Sequence, residues 1–122
     1  MINNNFSVII LGVNMKEIGE RIKNLREENG YSQTQVADYL GIDQSNLSKI
    51  ERGERKFKLD LLKKLCSLYD CSQDYILCRS DEYNKNSISF RSDGKVDLKV
   101  IAKVNETVNY LKLLREIEKK NR

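Results

Sequence analysis

From residue 16 onward the apolar positions fall at helical intervals. Ile18, Ile22 and Leu25 recur at four and three residues with Glu, Arg and Lys between them, which predicts a first helix over 16–28. Asn29-Gly30 ends it, because glycine takes the left-handed backbone that a helix C-terminus needs. Ser32-Gln33-Thr34-Gln35 matches a capping box, the serine hydroxyl accepting from the backbone three residues on while Gln35 reaches back. Val36, Ala37 and Leu40 turn inward from the short second helix that follows, and Gly41 stops it. Asp43 is placed to cap a third helix by accepting hydrogen bonds from its free N–H groups.

A fourth helix, 58–69, sets Leu61, Leu62, Leu65 and Leu68 with Cys66 along its inner side, and Ser72 opens a short fifth helix over 72–77. The expected architecture is all-α, with five helices sharing one core over 15–78. Within it, two short capped helices joined across a glycine, with small Ala37 permitting close approach, form a helix-turn-helix unit at about 32–51. Residues 79–97 are polar and mixed, which is linker composition. A long amphipathic helix follows in 98–122, where Ile101, Val104, Val108, Leu111, Leu114 and Ile117 recur at three or four residues. This stripe is longer than the five-helix core needs for covering. Self-association is the favoured reading, with folding back on its own domain or docking of a partner protein as alternatives, and Asn105 near the seam could set register. Residues 1–14, MINNNFSVIILGVN, carry no charge and form an extension of unknown role: a short strand, a packing arm, or a stretch ahead of a true start at Met15. They lack the basic region and small-residue cleavage site of a secretory leader.

The third helix sorts into two faces when advanced by about 100° per residue. Leu47 and Ile50 lie within about 60° of each other and face the core. Ser45, Ser48, Lys49 and Arg52 centre on the opposite side, with Gln44 and Asn46 on the flanks at the N-terminal end. These are side chains that read base edges: glutamine can bond adenine N6 and N7 together, lysine can donate to guanine, and serine suits either. The helix N-terminus also offers free N–H groups to a phosphate. Glu51 falls beside the buried side, free to pair with a neighbouring arginine rather than repel a phosphate.

Charge sharpens this picture. The chain of 122 residues carries a net charge of +4. Residues 49–64 hold seven positive side chains against three negative, a surplus equal to that of the whole chain. Such a basic cluster next to a polar helix face fits an anionic partner. The mean hydropathy is −0.60, and the sequence holds no run of about 18 apolar residues that could span a membrane. Three cysteines, Cys66, Cys71 and Cys78, are an odd set that fits a reducing cytoplasm and packing rather than a disulfide framework. With no histidine, neither a metal site nor an acid-base or nucleophilic constellation is expected, and no cofactor. An enzyme is therefore the weakest reading.

The stretch SQTQVADYLGIDQSNLSKIERGERK resembles the helix-turn-helix of the Cro and phage-repressor type, the XRE family, and the resemblance covers about half the chain, 18–77. It implies a lambda-repressor-like domain in which Gln33 bonds a backbone phosphate and buttresses Gln44. It further implies that Gln44, Ser45 and Lys49 meet base edges, that Asn46 and Arg52 lie on the sugar-phosphate flank, and that Arg55 and Lys56 touch phosphates. Ser48 joins the set from its outward position. Cys71 and Cys78 depart from the pattern, standing where an aliphatic residue and a glycine are usual. The function so implied is a sequence-specific regulator, most often a repressor, bound as a dimer to double-stranded DNA at a two-fold symmetric operator. The alternative is an antitoxin or adaptor whose C-terminal helix binds a partner protein.

Overall fold

The computed structural model describes residues 14–83 and 97–121. Most of the uncharged extension and residues 84–96 of the expected linker lie outside them. The described residues are all-helical: α1 Met15–Glu28, α2 Gln33–Leu40, α3 Gln44–Glu51, α4 Leu59–Tyr69, α5 Gln73–Ile76 and α6 Leu98–Lys120. None of these helices is long and apolar enough to cross a membrane.

Local chemistry sets the helix ends. Asn14 caps α1 by accepting from the Lys16 backbone N–H. The capping box of α2 is complete, with Gln35 N–H donating to Ser32 Oγ at 3.0 Å and Ser32 N–H donating to Gln35 Oε1 at 2.8 Å. Ser32 and Ser72 behave as expected, but Asp43 does not. It occupies the N-cap of α3 in extended backbone without accepting a side-chain hydrogen bond. Its carbonyl alone accepts from Asn46 and Leu47, so the carboxylate leaves the first N–H groups of α3 to other partners.

Ile18, Ile22, Leu25, Val36, Leu47, Leu65 and Ile76 form the fully buried centre. The third helix crosses the first at unusually short range. A Cβ on Gly19 would stand only 2.5 Å from the carbonyl oxygens of Ile50 and Glu51, and one on Gly53 would stand 2.7 Å from Lys16 Cα. Glycine at these two places lets α1 seat the C-terminal end of α3. Of the expected inner side of α4, Leu62, Leu65 and Leu68 are buried, while Leu61 and Cys66 are only partly covered.

Two features add to the sequence reading. Residues 79–83, at the start of the expected linker, are fastened to the domain. Arg21 donates to the carbonyls of Tyr75 and Ser80 and to Asp81, and Tyr83 stacks on Tyr75 while its hydroxyl donates to the Tyr69 carbonyl. The long terminal helix is also divided in its role. Leu98, Ile101 and Ala102 are buried against the core, and α6 runs along α4 and touches α2. Asn105 is buried too, donating to the carbonyls of Ser67 and Leu68 at the end of α4, so its amide serves this chain's own core rather than a coiled-coil register. Val104 and Val108 are half-buried, whereas Leu111, Leu114 and Ile117 stand 58%, 43% and 48% exposed.

The three thiols are free and partly buried. The neighbouring Cys71 thiol lowers Cys66 from the ordinary thiol range, while Cys66 and burial raise Cys71. Burial pushes Cys78 up. Cys78 holds a φ of 59°, the left-handed backbone that explains why glycine is usual at this place in the resembled pattern.

Candidate nucleic-acid interface

Gly41 makes the turn of the helix-turn-helix unit with φ 75°, and the N–H of Ile42 then closes on the carbonyl of Ala37. With Ala37, Leu47 and Ile50 buried, α3 has its back to the core. Its other side carries exposed Gln44, Ser45 and Lys49, with Asn46 and Ser48 half-covered. Exposed Arg52, Arg55 and Lys56 continue the surface beyond the helix. The outward residues expected from the sequence are all at least partly exposed, and hydrogen bonds join Gln33 to Gln44, Ser48 to Arg52 and Asn46 to Arg55.

A directed hydrogen-bond chain runs from the core to this face. Arg26 forks onto Glu51, Nε to Oε2 at 2.8 Å and Nη2 to Oε1 at 3.0 Å, and also donates to the carbonyl of Tyr31. Both partners are buried, and the carboxylate beside it holds the Arg26 guanidinium above its ordinary value. Glu51 Oε1 also accepts from Gln33 Nε2 at 3.0 Å, and Gln33 Oε1 accepts from Gln44 Nε2 at 2.6 Å. A carboxylate only accepts, so it compels Gln33 to present its NH2 inward and its oxygen outward. That oxygen in turn engages one amide hydrogen of Gln44. Gln44 keeps its oxygen and its other amide hydrogen, the acceptor-donor pair that matches adenine N6 and N7.

The basic flank is also organised. Arg52 donates through Nε to Glu54 Oε2 at 2.6 Å and through Nη1 to Ser48 Oγ at 2.7 Å. The arginine bond draws the exposed Glu54 carboxyl below its ordinary range. Three of the five guanidinium N–H donors of Arg52 remain for another partner. Arg55 donates to Asn46 Oδ1, tying the loop after α3 back to the helix.

Sequence reasoning missed Gly19, the identity of the Glu51 partner and the part Glu54 plays on the flank. A glycine at mid-helix was the available signal for the close approach of α1 and α3. The pairing of Arg26 with Glu51 spans 25 residues and has no local signature.

Comparison with known proteins bears on the helix-turn-helix unit as a whole. A family model described as "Helix-turn-helix" matches residues 22–76. The HTH-type transcriptional regulator ImmR of Bacillus subtilis (strain 168) is 31% identical over 84% of this chain and 98% of its own length. HTH-type transcriptional regulator SinR of Bacillus licheniformis is 38% identical over 53% of this chain and 60% of its own. The competence pilus inhibition repressor of Acinetobacter baylyi (strain ATCC 33305 / BD413 / ADP1) is 27% identical, covering 80% and 91% respectively.

Proposed function

The chain belongs to the XRE-type helix-turn-helix transcriptional regulators, and we propose that within this DNA-binding family it is a sequence-specific repressor that acts as a dimer on a two-fold symmetric operator. The observation that carries the reading is the Arg26–Glu51–Gln33–Gln44 chain, which leaves the outermost amide with its base-reading edge unengaged. Preorganisation of this kind serves a partner with a fixed donor-acceptor pattern, whereas bulk water would need no such orientation. In the proposed complex α3 lies in the major groove, Gln44, Ser45 and Lys49 meet base edges, and Gln33, Asn46, Ser48, Arg52, Arg55 and Lys56 serve the backbone flank.

The dimer reading is supported by the far half of α6. Tyr110, Leu111, Leu113, Leu114 and Ile117 are all exposed there, large apolar side chains of the kind that mark a protein interaction surface. Ile101 belongs to the chain's own core, so the proposed self-association surface begins beyond Asn105. The same surface suits the antitoxin or adaptor reading, in which a different protein covers it.

Mapping the binding sites of the purified protein across its genome tests the proposal. The expected sites are two-fold symmetric, with half-sites about 34 Å, one turn of duplex, apart. Failure of duplexes of any sequence to associate at low ionic strength would sink it.

A further inference from the structure

Beside the basic flank, where the turn after α2 meets the start of α4, the surface opens into a cleft of about 330 Å3. Its floor is apolar, formed by Leu40, Ile42, Ile50, Phe57 and Leu61. Its rim carries Arg55, Lys56, Lys58 and Lys64 against the single carboxylate of Asp60. All four cations are exposed, and Leu59 next to them is 46% exposed.

Duplex DNA accounts for the cations but not for the floor, because a phosphate backbone has no side chain to send into an apolar pocket. A second copy of the same surface is disfavoured by its charge: a self-complementary contact would set four cations against four. What matches both features is an apolar anchor flanked by carboxylates. We propose that this cleft docks an acidic peptide segment of a partner protein, one aromatic or aliphatic side chain entering the floor while neighbouring carboxylates meet the rim.

Arg55, Lys56 and Asn46 belong both to the cleft and to the proposed duplex interface. An occupant therefore excludes DNA, which gives the partner the character of an antirepressor. The exclusion rests on the duplex reading; the docking does not.

The docking test uses the full chain without DNA and two synthetic peptides, Glu-Glu-Phe-Glu-Glu and its serine counterpart Glu-Glu-Ser-Glu-Glu, followed through backbone amide NMR shifts. The phenylalanine peptide is expected to shift the amides of Ile42, Ile50 and Phe57. The serine peptide should bind about tenfold more weakly, the loss expected when an aromatic anchor is left out of an apolar pocket. Leu61→Ser should weaken the phenylalanine peptide to a similar degree. Lys64→Ala, on the exposed rim and away from the core, should weaken it several-fold with the fold unaltered. Equal binding of the two peptides, or shifts confined to Gln44, Ser45 and Lys49, would reduce the effect to charge attraction and overturn the proposal. Concentration-dependent shifts of the cleft amides in peptide-free protein would assign the cleft to a second copy and overturn it as well. In a separate arm the phenylalanine peptide should displace a labelled duplex, and simultaneous binding of both would overturn the exclusion.

Discussion

Asn105 holds α6 to the end of α4 by giving its side-chain amide to the Ser67 carbonyl at 2.8 Å and the Leu68 carbonyl at 3.2 Å. Helix ends leave such carbonyls without intrahelical donors, so this one side chain completes the last turn of another element. Asn105→Ala strands two acceptors, one buried and one part-buried, and should lower unfolding free energy by about 1–3 kcal/mol in denaturant titrations. The self-association constant should stay unchanged. A change of oligomeric state would restore the register role that the sequence suggested for this residue.

Gln44→Ala removes the oriented amide and should cost about 1–3 kcal/mol at a single base position, read by affinity for a panel of single-base operator variants. Gln33→Ala leaves Gln44 in place but frees its rotation. It should reduce discrimination at that same position, and equal losses at every position would show that Gln33 serves the backbone alone.

On the flank, two substitutions should act in opposite directions. Arg55→Ala weakens binding to all sequences and makes the salt dependence shallower by about one phosphate contact. Glu54→Gln releases Arg52 toward phosphate and should strengthen binding to all sequences. Acidification should imitate the second change. Because the folded Glu54 pKa is depressed by the Arg52 bond, the pair is intact above the ordinary carboxylate range and is lost as pH falls through the lowered value. The gain on acidification, measured in duplex titrations at fixed salt, should vanish in Glu54→Gln.

Removal of 110–122 should separate stability from assembly. The cut spares Leu98, Ile101, Ala102 and Asn105, so the thermal midpoint should hold while sedimentation equilibrium reports a monomer. A cut at Asp97 instead strips Leu98 and Ile101 from the core, each worth about 1.5–3 kcal/mol, and would confuse the two effects.

Tyr69 is buried with a hydroxyl that has no hydrogen-bond partner among the described residues. Burial raises it well above the ordinary phenol value. Tyr69→Phe keeps the ring stacked on Tyr31 and removes the unsatisfied group, so stability should rise by about 1 kcal/mol in denaturant midpoints. A loss of stability would mean that the hydroxyl is satisfied after all.

What was legible in the sequence was local. The capping box at Ser32 and Gln35 shows itself because its partners are three residues apart, and the two faces of α3 follow from helical periodicity alone. The stripe from Ile101 to Ile117 was equally visible, but periodicity says only that a face is apolar, never what covers it. That is why one half went to α4 and the other stayed open. The inner end of the amide chain was hidden for a similar reason. Glu51 could be assigned to an arginine by charge and position, yet several arginines qualified, and only the close seating of α1 on α3 at Gly19 selects Arg26.

Helix α6 has 23 residues and runs without interruption from its buried start to its exposed end, a span of about 35 Å. It therefore behaves as a stiff lever arm rather than a tether. Because α2 touches both α6 and α3, a molecule that grips the free end bears on the aim of α3 through α2, and in the proposed dimer a small change of angle at the grip would move two reading heads out of phase with the pitch of the duplex.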